Sequence, residues 1–113
     1  MTIVSLDQQR TETLLRAFTE RRSPAHVRDQ VSVQYRTRGS SVTIFERRAA
    51  WRKPGEWTES NVAQLRRSKT GEWALYWRDR NNRWHSYDGL VPTKNLPAAL
   101  AEIDRDPTCI FWG

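Results

Sequence analysis

The stretch from Glu72 to Asp88, EWALYWRDRNNRWHSYD, most constrains what this chain can fold into, because it sets three of the six tryptophans around a polar turn. Trp73 to Arg78 alternates, Arg80-Asn81-Asn82-Arg83 supplies turn residues, and Trp84 to Tyr87 is aromatic again. Period-two alternation on both sides of turn chemistry predicts a β-hairpin. A lone hairpin is marginal in water, and large aromatic side chains stabilise it only when they are buried. The remaining chain must therefore extend this hairpin or cover it.

Both kinds of segment are present. Ser5-Leu6-Asp7-Gln8 fits a capping box, Leu14, Leu15 and Phe18 form a short apolar stripe, and Pro24 disfavours helix at Ser23, so a helix is predicted to end near Arg21 or Arg22. From Val31 the period becomes two, Arg38-Gly39-Ser40-Ser41 is a turn, and Val42 to about Arg48 makes a second strand. Residues 49–60 contain Pro54-Gly55 between Trp51 and Trp57 and read as a loop pinned by two aromatics, folded back on the core in one reading and gripping a partner in the other. Val62 to Arg67 is a third strand, and the Glu72–Asp88 hairpin supplies the fourth and fifth. Leu96, Leu100 and Ile103 recur at helical spacing, so a second helix runs from about Asn95 to Arg105, stopped by Asp106-Pro107. The apolar end, Cys109-Ile110-Phe111-Trp112-Gly113, is expected to dock on the core. The fold class is α+β: one domain over 1–113, with a single twisted antiparallel sheet of about five strands and an N-terminal and a C-terminal helix. A chain of 113 residues is long enough for one such core.

Several stretches, taken in order, resemble an uncharacterised bacterial family, the domain of unknown function 3024. They are Ile44-Phe45-Glu46, Trp51, Pro54, Trp57, Val62-Ala63, Trp73-Leu75-Tyr76-Trp77, Trp84-His85-Tyr87 and Phe111-Trp112-Gly113, covering roughly residues 24–113. The resemblance implies a small bacterial cytosolic protein. It brings no catalytic residue with it.

The net charge is +6, and it belongs to the middle of the chain: residues 21–83 hold fifteen Lys or Arg against six Asp or Glu, while both ends are mildly acidic. Such a patch attracts phosphates over a Debye length of about 8–10 Å. The same surplus, sixteen Arg against three Lys, also suits a merely solvated surface. The single cysteine, Cys109, can form no intramolecular disulfide, and no apolar run approaches the roughly 18 residues of a membrane span, so a cytoplasmic location is expected and no membrane partner.

Period-two arithmetic then divides the strands into two faces. The apolar side takes Val31, Val33, Tyr35, Val42, Ile44, Trp73, Leu75, Trp77 and Trp84; the wet side takes Gln34, Arg36, Phe45, Arg47, Gln64, Arg66, Tyr76, Arg78, Arg83, His85 and Tyr87. A bulge near Phe45 would exchange Phe45 with Glu46. Guanidinium groups interleaved with rings are what a nucleic-acid platform needs, since the first neutralise phosphates and the second stack on unpaired bases. Arg36, Arg47, Arg66, Tyr76, Arg78, Arg83, His85 and Tyr87 are the expected binding residues, with single strands preferred on account of Tyr76, Tyr87 and His85. The alternative is a protein partner or a homodimer held through the Trp51/Trp57 loop or a sheet edge. Catalysis is not expected: a pairing of His85 with Asp88 or Glu46 is the single acid–base candidate, two His and one Cys are few for a metal, and no phosphate-binding glycine loop or other cofactor motif occurs.

Overall fold

A computed structural model describes residues 6–23, 25–27, 29–50 and 52–112. Helix α1 (Leu6–Arg21) leads into a short 3-10 turn (Ala25–Val27), five strands follow, β1 (Val31–Arg38), β2 (Ser41–Ala49), β3 (Trp57–Arg67), β4 (Trp73–Arg78) and β5 (Trp84–Ser86), and helix α2 (Leu96–Arg105) closes the order. The strands form one antiparallel sheet in sequence order, β1-β2-β3-β4-β5, joined by hairpins and open at both edges. The α+β expectation, with its helix at each end, is what the chain adopts. The Ser5 capping residue, Pro24 and Trp51 lie outside the described residues.

Local chemistry explains the boundaries. Gly39 takes φ +58° at the first central position of the β1–β2 turn, where a type II′ hairpin needs a left-handed residue. In α2 the Asn95 side chain accepts from the Ala98 amide at 3.2 Å, and Pro97 occupies a first-turn position that needs no N–H donor. Asp106 ends that helix in the left-handed region (φ 42°), its amide bonded to the Glu102 carbonyl. Its carboxylate then accepts from the Phe111 and Trp112 amides at 3.0 and 2.9 Å, which folds the chain end back as expected. Phe111 is buried against the Tyr87 ring, and the Trp112 indole donates to the Ile103 carbonyl.

Both helices cover the same face of the sheet, α1 against β1 and α2 against β4, and they touch each other. Leu15 and Phe18 of α1 and Leu96, Ala99, Leu100 and Ile103 of α2 join Val33, Val42, Ile44, Ala63, Leu65, Trp73 and Leu75 in one core. Arg21 ties the helices together through Asp104 at 2.6 Å. At the sheet edge, the buried Ser23 hydroxyl accepts from the Val33 N–H (2.7 Å) and donates to the Val33 carbonyl (3.2 Å), so the outward backbone groups of β1 are satisfied there.

Three expectations about the strands need correction. The 49–60 loop is shorter, because β3 begins at Trp57 and pairs with β2 as far as Ala49. Its first five residues, Trp57 to Asn61, carry no apolar alternation, and pairing with the β2 backbone places them in the sheet. The register does shift between Ile44 and Phe45, but the extra residue is Val62 in β3, so Phe45 and Glu46 are not exchanged. Phe45 stays on the outer side opposite Gln34, buried there with the Arg36 guanidinium 4.0 Å above its ring, while Glu46 lies on the covered side opposite Val33 and pairs with Arg48. The third correction reverses β5. Arg78 pairs with Trp84 and Trp77 with His85, which puts Trp84 on the outer face and His85 on the covered side, and Tyr87 is in the core.

Candidate nucleic-acid interface

The uncovered face is organised in rows, because residues opposite one another across an antiparallel pair share a side. Arg38, Ser41, Arg66 and Ala74 form one row. Arg36, Thr43, Gln64, Tyr76 and Ser86 form the next. Gln34, Phe45 and Asn61 make a third, which Arg78 and, opposite it, Trp84 continue on β4 and β5. Beyond it Arg47 faces Glu59, and Ala49 faces Trp57. Of the two carboxylates within the strands, Glu46 is on the covered side and Glu59 is bonded to Arg36 at 2.8 Å.

Each of three guanidiniums rests on a ring: Arg36 on Phe45 at 4.0 Å, Arg47 on Trp57 at 4.8 Å and Arg66 on Tyr76 at 3.8 Å. Such contacts contribute about 0.5–1 kcal/mol where they are exposed and leave the outward N–H groups available. Arg66 also donates through Nε to the Gln64 side chain at 2.7 Å. Arg38 has neither ring nor carboxylate partner among the described residues. The Trp84 ring, half-buried, has no guanidinium or ring partner among them.

Of the eight residues expected to bind, the fold brings Arg36, Arg47, Arg66 and Tyr76 to this face and separates the others. Arg78 stands opposite Trp84 by register, but its side chain turns onto the free edge of β3, which β4 no longer covers beyond Ala63, and there its Nε donates to the Asn61 carbonyl at 2.7 Å and its Nη2 to the Ser60 hydroxyl at 2.9 Å. Arg83 is exposed at the tip of the last hairpin. His85 stacks on Trp77 with ring centroids 4.6 Å apart. Tyr87 is 8% exposed, and burial, with the Glu102 carboxylate beside it, raises its pKa. The residue that period-two arithmetic placed wrongly and that belongs to the face is Trp84.

The acid–base candidate also changes partner. His85 Nε2 meets Asp79 at 2.7 Å, not Asp88 or Glu46. The other Asp79 oxygen accepts from the Asn81 and Arg83 amides and so shapes the turn. These bonds, His85 first, pull the Asp79 carboxyl down to about 2. The pair is spent on a hairpin. Among the described residues no group of three His, Cys, Asp or Glu comes together, and no helix is long and apolar enough to cross a membrane.

Comparison with known proteins adds a family and nothing finer. No curated protein and no solved structure matches the chain. One family model, described as Domain of unknown function (DUF3024), matches residues 3–113, so the likeness seen in 24–113 extends through α1. With essentially the whole length matched, the chain belongs to the DUF3024 family.

Proposed function

We propose that the protein binds single-stranded nucleic acid across the open face of its sheet. The observation that carries this reading is that Arg36, Arg38 and Arg66 stand beside Tyr76 and Trp84 on the side the helices leave bare, where the one strand carboxylate, Glu59, is already held by Arg36. Guanidinium groups neutralise phosphates, and rings stack on bases that have no pairing partner. The preference for single strands rests on Tyr76 and Trp84. They are diagonal neighbours on adjacent strands, and such positions lie about 7–8 Å apart, within reach of successive bases of an extended strand.

Fluorescence anisotropy with labelled single-stranded RNA and DNA and the corresponding duplexes, across a salt series, tests it. Engagement of about three or four phosphates gives a slope of log affinity against log salt of about −2 to −3. Trp84→Ala is expected to lower single-strand affinity roughly tenfold and His85→Ala to leave it unchanged, because one ring faces the strand and the other does not. No binding near 50 mM salt overturns the proposal, and self-association through the Trp57 region in its place favours a homodimer.

A further inference from the structure

A depression of about 420 Å³, in the size range of small-molecule sites, lies within the open face. Arg36 and Arg38 rim it on the β1 side, Trp84 closes the opposite side, and Ser41, Thr43, Asn61 and Gln64 form its floor. Depressions elsewhere on the described residues include a carboxylate, as those containing Glu20, Asp7, Glu46 and Glu12 do. This one has none among its lining residues.

The floor is neutral and has hydrogen-bonding capacity to spare. The Gln64 amide nitrogen donates to the Thr43 hydroxyl at 3.0 Å and its oxygen accepts from Arg66, leaving one N–H and one lone pair unused. The Asn61 side-chain nitrogen donates to Asn82 at 3.3 Å, and its own oxygen has no donor among the described residues. Two amides, each offering a donor and an acceptor, match the mixed edge of a nucleobase, and side-chain amides read base edges in this way. The Trp84 ring provides a stacking wall, and Arg38, without a carboxylate of its own, sits at the rim where a phosphate would lie.

We infer that this depression takes one unpaired nucleobase, stacked on Trp84 with its edge on Asn61 and Gln64 and its phosphate against Arg36 and Arg38. The inference rests on the nucleic-acid reading and adds base selection to it. At the occupied position the protein discriminates between bases, while along the rest of the face it holds phosphates without regard to sequence.

The experiment measures affinities of the full chain for dA, dC and dT homopolymeric oligonucleotides of equal length at fixed salt, with RNA counterparts to separate the sugar from the base. The expected result is a roughly tenfold or larger spread between best and worst base, within the range that a two-point base contact supports. Gln64→Ala and Asn61→Ala are each expected to shrink that spread several-fold while preserving the salt slope, and circular dichroism checks that both variants fold. Gln64→Glu, which keeps an acceptor for Arg66 and loses a donor, serves should the alanine variant not fold, and it is expected to change the order of preference among the bases. Binding with a steep salt dependence and equal affinity for all three bases overturns this inference and leaves the nucleic-acid reading standing. Absence of binding to every oligonucleotide overturns both.

Discussion

Two arginines that look alike in the sequence, Arg66 and Arg78, are expected to fail in opposite ways when shortened to alanine. Arg78 donates to the Asn61 carbonyl and the Ser60 hydroxyl beside the Val62 bulge, where no strand covers β3. A hydrogen bond from a charged donor contributes about 1.5–3 kcal/mol, and because water can partly replace it at a half-buried carbonyl, a loss of about 1–2 kcal/mol is expected for Arg78→Ala. With 113 residues and an unfolding entropy of about 2.1 cal/mol/K per residue, each kcal/mol moves Tm by about 4 °C, so the variant should melt about 4–8 °C lower. Arg66 is exposed and gives up its contact with Tyr76 and a bond to Gln64, a cost of about 0.5–1 kcal/mol and no more than about 4 °C. In binding the order reverses. Arg66→Ala should flatten the salt slope for single strands by about 0.7, the share of one phosphate, and Arg78→Ala should leave the slope as it was. Thermal melts followed by circular dichroism and the anisotropy salt series read the two quantities separately. An Arg78→Ala variant that melts with the wild type and loses a phosphate from its slope would refute this division of labour.

Gly89→Ala is expected to destabilise the fold by about 1–3 kcal/mol, seen as a lower denaturant midpoint, because a Cβ at that position would stand 2.5 Å from Cζ of the buried Tyr87 ring. Acid should act partly through Asp79. Its carboxyl titrates near 2 in the folded chain and near 3.8 otherwise, so the stability it contributes is complete above about pH 4 and is lost as pH falls through 2. Asp79→Asn keeps an acceptor for the turn amides and removes the charge, so the Tm gap between it and the wild type should narrow from pH 5 to pH 2, and a gap independent of pH would refute the linkage.

Much of the fold could be read from the chain because its signals are local. The α2 boundaries follow from Asn95, Pro97 and Asp106, and the β1–β2 hairpin from alternation around Gly39. The facing of β5 could not be read this way. A strand of three residues has too short a pattern to declare its side, and its register is set by a turn in which Asp79 bonds two amides and Asn82 adopts φ 63°. One step in register exchanges every side chain between faces, which is why Trp84 and His85 traded places. The β2–β3 arm was invisible for a related reason: Trp57-Thr58-Glu59-Ser60 is exposed throughout, so burial leaves no mark on it. The expected residues whose side chains lie along the open face, Arg36, Arg47, Arg66 and Tyr76, all come from strands long enough to show two faces.

The rings beneath Arg36, Arg47 and Arg66 bear on more than surface charge. A free arginine samples many rotamers, and immobilising such a side chain on a ligand costs about 0.5–1.5 kcal/mol. Three of the cations on this face are already confined by Phe45, Trp57 and Tyr76, so much of that entropy is lost when the chain folds and not when a ligand arrives. Lysine at the same positions would preserve every charge and lose this ordering, since an ammonium has no planar group to lie flat on a ring. The preponderance of arginine over lysine in this chain thus becomes, on the open face of the sheet, a matter of how rigidly the positive charge is presented.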